Sequence, residues 1–166
     1  MLKKIEPREL QGNIFELIGD KWMLVTAAKE NEINTMTASW GGMGIMWNKP
    51  VASCVIRPVR YTYQFAEQAN YFTLTFFPVK YRKALNLLGT KSGRDGDKIK
   101  ESGLTPVKTD FGTFSFEEAD TTLVCKKIYY QNIDPNNFID KDLDKNYPNK
   151  DYHRMYFGEI VQAFIK

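Results

Sequence analysis

The chain carries one histidine, His153, and two cysteines, Cys54 and Cys125. That inventory excludes much catalytic chemistry. No cysteine pair and no second histidine stand at zinc-ligand spacing. No serine lies in a Gly-x-Ser-x-Gly elbow, and a lone histidine cannot run a two-histidine mechanism. Asp140, Asp142 and Asp144 alternate as in a calcium loop, with Asp151 at the twelfth place. Lys145 holds the sixth place, where such a loop turns on glycine, and no glutamate closes it, so a solvated loop is the simpler reading. Gly41-Gly42-Met43-Gly44 is followed by neither Gly-Lys-Ser/Thr nor a third spaced glycine. It reads as a turn between strands rather than a phosphate loop.

Anion recognition is the chemistry that the sequence does offer. Arg57-Pro58-Val59-Arg60-Tyr61-Thr62 places two guanidiniums and a hydroxyl just before an expected helix N-terminus. Backbone N–H groups, the helix dipole and arginine forks together suit a phosphate. Lys91-Ser92-Gly93-Arg94-Asp95-Gly96-Asp97-Lys98 is glycine-rich and holds three cations. Each segment alone also fits a solvated turn. Two of them in one small domain strengthen the anion reading.

The elements that must position these groups are mostly strands. Trp22 to Ala28 is an apolar run bounded by Gly19-Asp20 and Lys29-Glu30-Asn31. Ile33 to Trp40 and Pro50 to Arg57 follow as strands, the latter stopped by Pro58. In Tyr71 to Phe77, Phe72, Leu74 and Phe76 alternate with Thr73 and Thr75, the pattern of a half-buried strand. Phe111 to Phe116, Thr121 to Tyr130 and Met155 to Ile165 supply three more. Helices are few: Thr62 to Ala69, Lys80 to Leu88 with Tyr81, Ala84, Leu85 and Leu88 on one face, and a short turn from Asp97 to Ser102 ended by Gly103. Gln131 to Asp151 is rich in Asn and Asp and reads as a long surface excursion. The economical architecture is mainly β, an antiparallel Greek-key split β-barrel with a few short helices.

A chain of 166 residues makes one domain, 1–166, able to bury its own core. A net charge of +3 is dispersed rather than gathered into a stripe, against nucleic-acid binding. Both cysteines lie in apolar runs, where buried unreactive thiols belong, although a disulfide between them is conceivable. The basic start, Met1 to Pro7, has no apolar segment after it, and no run is long enough to span a bilayer. The expectation is a cytoplasmic protein with no membrane partner.

At these segments the sequence resembles the flavin reductase-like, FMN-binding split-barrel family, which includes flavoredoxin-like proteins. The resemblance runs from Leu17-Ile18 through Asn34-Thr35-Met36-Thr37-Ala38-Ser39-Trp40 and Ile56 to Thr62. It continues through Ser92 to Lys98 and Leu123 to Lys126, and closes with Asp151-Tyr152-His153 and Gly158-Glu159-Ile160-Val161. No single motif is diagnostic, but their order over one domain is fairly specific. Where family members often carry a cysteine before Gly89, this chain has Leu88, which removes thiol chemistry there.

The resemblance implies roles. Met36, Thr37, Ala38, Ser39 and Trp40 would line the isoalloxazine, largely through backbone groups. Cys54, Val55, Ile56 and Arg57 would flank the ring and ribityl chain. Arg60 and Thr62 would hold the 5′-phosphate of a non-covalent FMN, with Lys98 and the Ser92-Gly93-Arg94 turn closing the same side. His153 by itself reads as a surface or interface histidine. With the resemblance it would lie near the open flavin face as a catalytic group, titrating at about pH 6 to 7. NADH or NADPH is the implied reductant, and a small molecule, a free flavin or an electron-transfer protein the acceptor. A homodimer is implied too, and the aromatics Trp40, Trp47, Tyr129, Tyr130 and Tyr156 exceed what one small core needs. An FMN electron carrier without nicotinamide activity and a barrel that binds no flavin are the rival readings.

Overall fold

The structure, a computed structural model, describes residues 2–30 and 32–166. Asn31, an expected strand boundary, and Met1 lie outside the described residues. Among the described residues ten strands form: β1 (Lys3–Ile5), β2 (Met23–Lys29), β3 (Glu32–Ala38), β4 (Gly41–Met46), β5 (Lys49–Ile56), β6 (Tyr71–Phe76), β7 (Pro106–Lys108), β8 (Phe114–Phe116), β9 (Thr121–Asn132) and β10 (Arg154–Ile165). The α-helices are α1 (Tyr61–Gln68), α2 (Arg82–Thr90) and α3 (Lys98–Ser102), and a π-helical turn covers Glu16–Lys21 ahead of β2. Asp97 caps α3 by accepting from the Lys100 N–H, and Gly103 ends it at φ 73°. Among the described residues no helix is long and apolar enough to cross a membrane.

The main sheet runs β3-β2-β6-β9-β10-β5-β4, antiparallel throughout, with β1 added on β10. Its two outer strands, β3 and β4, are joined only by Ser39 and Trp40. Three Cα steps span at most about 11 Å, so the sheet edges must meet there. The sheet is a split barrel, and the split lies beside Ser39-Trp40.

The interior is filled by one face of every main strand, including Val25, Cys54, Ile56, Leu74, Leu123, Cys125 and Tyr156. Burying side chains of this size contributes about 1.5–3 kcal/mol each. Both cysteines are free thiols, and burial pushes Cys54 up to about 12 and Cys125 well above the ordinary value. No disulfide joins them.

Several elements depart from the pattern-based expectation. Gly41 to Gly44 is strand rather than turn, paired from Gly41↔Cys54 to Met46↔Lys49. A Cβ on Gly41 would meet the Ser53 carbonyl oxygen at 2.3 Å, so glycine is there for close backbone approach. The turn comes later, at Trp47 and Asn48, with φ of 51° and 59°. On β6 the alternation is correct but both faces are covered: Thr73 and Thr75 are fully buried. A second apolar layer of Leu24, Phe77, Leu85, Leu88, Ile99 and Phe116 sits over that side. The strand expected over Phe111 to Phe116 shrinks to β8, and β9 runs two residues beyond its expected end. The excursion that follows contains two 3-10 turns, Pro135–Asn137 and Lys141–Asn146. Its Asp144 carboxylate is engaged by Lys150 and Tyr152.

Candidate functional site

A cleft of about 280 Å³ opens at the split, lined by Met36, Thr37, Ala38, Ser39, Trp40, Val55, Arg57, Arg60 and His153. The end of β3 forms one wall. β5 and the start of β10 form the other, where Arg154 pairs with Ile56 and so brings His153 alongside Arg57. A larger cavity of about 940 Å³ is bordered by Asn34, Tyr61, Gly93 and Lys98. The smaller cleft is the candidate site, because two arginines, the Trp40 ring and the histidine converge on it.

The expected residues divide by strand alternation. Met36 and Ala38 pack their side chains into the core, so they offer the cleft mainly backbone. Thr37 donates its hydroxyl to the Leu85 carbonyl, tying β3 to α2. Val55 and Arg57 line the cleft, whereas Cys54 and Ile56 are 1% and 0% exposed and point into the barrel. Only the backbone of those two positions is available to a ligand.

The expected anion residues also divide. Arg57 donates from Nη1 to both Asp151 carboxylate oxygens at 2.9 and 3.0 Å and from Nη2 to the Asn146 carbonyl at 2.7 Å. Its charge is answered within the protein. Arg60, the residue before α1, donates from Nη1 to the Gly89 carbonyl at 2.7 Å. Lys98 donates from Nζ to the carbonyls of Leu88 and Lys91 at 3.0 and 3.1 Å. Both cations therefore sit on the C-terminal carbonyls of α2, the negative end of that helix. Among the described residues neither is paired with a carboxylate. Burial, and after it the nearby Arg60 charge, bring Lys98 down to about 8.

Thr62 is 1% exposed, and its hydroxyl accepts from Asn34 Nδ2 at 2.8 Å. Asn34 belongs to the motif quoted above but sequence reasoning gave it no role. Ser92 caps a short turn by accepting from the Arg94 N–H. Gly93 lies so close to Asn34 and Tyr61 that a Cβ would fall 2.4 Å from Asn34 Oδ1. The Arg94 guanidinium lies over the Tyr61 ring at 4.8 Å and donates to the Val59 carbonyl. Ser92, Gly93 and Arg94 hold the turn against α1 and are not on the cleft wall.

His153 is on that wall, 5.2 Å from the Trp40 ring by centroids. Its Nδ1 lies 2.8 Å from the hydroxyl of Tyr147, a buried residue of the excursion. Burial, then the Arg57 charge, bring His153 down to about 4, with Asp151 acting the other way. The expected ionisation at about pH 6 to 7 is therefore displaced, and the ring is neutral near pH 7.

A family model for the flavin reductase like domain matches residues 16–165. The chain belongs to that family. Among curated proteins none matches the sequence significantly. Among solved structures, the FMN-binding domain of a flavin reductases-like enzyme from Shewanella baltica superposes with a TM-score of 0.73 at 19% identity, over 99% of this chain and 77% of that one. Flavoredoxin of Desulfovibrio vulgaris gives 0.68 at 22% identity, over 87% and 69%. An FMN-binding protein from Thermus thermophilus, with p-hydroxybenzaldehyde bound, gives 0.70 at 19% identity, over 95% and 80%. At these identities the likeness concerns the fold.

Proposed function

We propose that this flavin reductase-like domain binds FMN non-covalently in the cleft and acts as an oxidoreductase, taking reducing equivalents from NADH or NADPH. The observation that carries the reading is the pair Arg60, at the start of α1, and Lys98, at the start of α3, two cations that meet at the C-terminal carbonyls of α2 without a carboxylate partner among the described residues. A terminal phosphate supplies the missing anion. Val55, Trp40 and the β3 backbone offer a wall for a planar ring. FMN, when bound, supplies the hydride chemistry that passes electrons to a flavin, another small acceptor or an electron-transfer protein. The chain then has only to bind, orient and exclude water, which needs no acid–base pair.

Equilibrium dialysis of the purified protein is expected to show FMN taken up in preference to FAD. No FMN uptake by the wild type overturns the reading. Loss of the flavin's visible absorbance on adding NADH or NADPH is expected under argon. FMN binding without nicotinamide-dependent reduction assigns the chain to the electron carriers.

The same reading includes a homodimer. Trp47 and Tyr130 are more than half exposed and Tyr129 nearly so, and Trp47 lies against Tyr129 and Phe157 at 5.9 and 6.3 Å. Trp47, Tyr129 and Phe157 border, with Met155 and Phe138, an apolar groove of about 590 Å³, whereas the Tyr130 ring lies outside it under the Arg154 guanidinium at 4.5 Å. Met155 pairs with Val55, so this groove adjoins the cleft. Tyr156 does not belong to the surface: it is 1% exposed and its hydroxyl donates to Glu67. Sedimentation at micromolar concentration is expected to give a dimer, and Trp47→Lys a shift toward monomer. A wild-type monomer under those conditions removes the dimer from the proposal.

A further inference from the structure

We propose that Tyr147 is a positioning residue that holds His153 in a single tautomer, Nδ1 accepting and Nε2–H presented to the cleft. The inference rests on the cleft being the ligand site. It starts from a buried hydroxyl. Tyr147 is 3% exposed, and His153 Nδ1 at 2.8 Å is the one side-chain hydrogen-bond partner of its hydroxyl among the described residues. A phenol is both donor and acceptor, whereas a neutral imidazole nitrogen is one or the other. If Nδ1–H donated to the phenol oxygen, the phenolic proton would be left unpaired in a buried place, at a desolvation cost. If the phenol donates to Nδ1, both groups are satisfied and the ring proton belongs on Nε2.

The surroundings hold Tyr147 in place. Phe138 stacks on its ring at 6.2 Å with an interplanar angle of 20°, and Tyr152 lies at 4.8 Å. The Arg57 guanidinium lies over the same ring at 5.0 Å while its Nη atoms bind Asp151 and the Asn146 carbonyl. Arg57 thus fastens the end of the excursion to β5 and carries Tyr147 with it. The charged groups acting on His153 are Arg57 and Asp151, with Trp40 closing the other side. The Arg57 cation beside the ring and the ring's burial both disfavour an imidazolium. The cleft therefore offers its ligand a neutral hydrogen-bond donor at this position, suited to a carbonyl or anionic oxygen and unsuited to an ammonium group.

His153 is the only histidine in the chain, so a two-bond proton–nitrogen correlation of the imidazole is unambiguous. On the wild type at pH 7, Nε2 is expected in the protonated range and Nδ1 in the unprotonated range. Neither should titrate between pH 6 and 8 (about the window of an unperturbed imidazole). Tyr147→Phe keeps the ring contacts and removes the hydroxyl. It should give an exchange-averaged or inverted pattern, with kcat/KM for nicotinamide-dependent reduction lowered roughly 2- to 10-fold, the range for one neutral hydrogen bond, and the FMN dissociation constant unchanged. A wild-type Nδ1–H tautomer, or an imidazolium at pH 7, overturns the proposal. So does a Tyr147→Phe spectrum identical to wild type. The wild-type spectrum decides the tautomer even if that variant is unstable. Failure to bind FMN in dialysis refutes the functional reading separately, because the spectrum needs no flavin.

Discussion

Arg60→Ala is expected to weaken FMN binding by about 1.5–3 kcal/mol, the range for hydrogen bonds to charged groups, which is roughly 10- to 150-fold in dissociation constant. Binding of riboflavin, which lacks the phosphate, should change little, so fluorescence titration with both ligands isolates the phosphate contribution. The reason is geometric. Arg60 and Lys98 are both fixed on the α2 carbonyls, so little side-chain order remains to be imposed when an anion arrives. The pH dependence carries an independent sign. Lys98 lies at about 8 in the free protein, and a bound dianion raises it. FMN affinity is then flat just below that value and falls as pH rises past it. Removing Arg60 takes away a neighbouring like charge, so the fall should move to higher pH in the variant. Equal losses for FMN and riboflavin would show that Arg60 acts on the fold rather than on the phosphate.

His153→Ala is expected to leave FMN binding nearly unchanged and to lower nicotinamide-dependent turnover about 10- to 100-fold, the low end for one positioned catalytic group. The wild-type rate should show no ionisation near pH 6 to 7, because the ring lies at about 4. The same displacement bears on stability. The folded value is below the unfolded one of about 6.5, so the unfolded chain takes the proton first. Stability from the neutral ring is present above about pH 6.5 and is lost as pH falls through 4. The alanine variant lacks this dependence, and acid denaturation followed by circular dichroism should begin at lower pH for it. Wild-type turnover in the variant would make His153 a wall residue without catalytic effect.

The order of the elements was readable because it rests on local physics. Alternation in Tyr71 to Phe76 marks a strand whatever covers it, and the spacing of Ala84, Leu85 and Leu88 marks a helix face. The excess of strands over helices, the absence of any histidine or cysteine ligand set, and the two cationic glycine- and proline-marked segments are equally local. The family match then extends over nearly the whole chain.

Tertiary structure decided the rest. Alternation says that Cys54 and Val55 face opposite ways but not which way is inward, and only the barrel's closure put Cys54 in the core and Val55 on the cleft. Gly41 looks like turn material until Ser53 is known to lie across from it. Thr73 and Thr75 look solvated until a second apolar layer covers them. The arginines of one segment separated for the same reason: Arg57 meets Asp151, 94 residues away, while Arg60 meets Gly89, 29 residues away. Ion pairs and hydrogen bonds between such distant residues leave no trace in spacing. Tyr147 reached His153 from an excursion whose composition pointed only to solvent, because a side chain's partner is set by where the backbone returns.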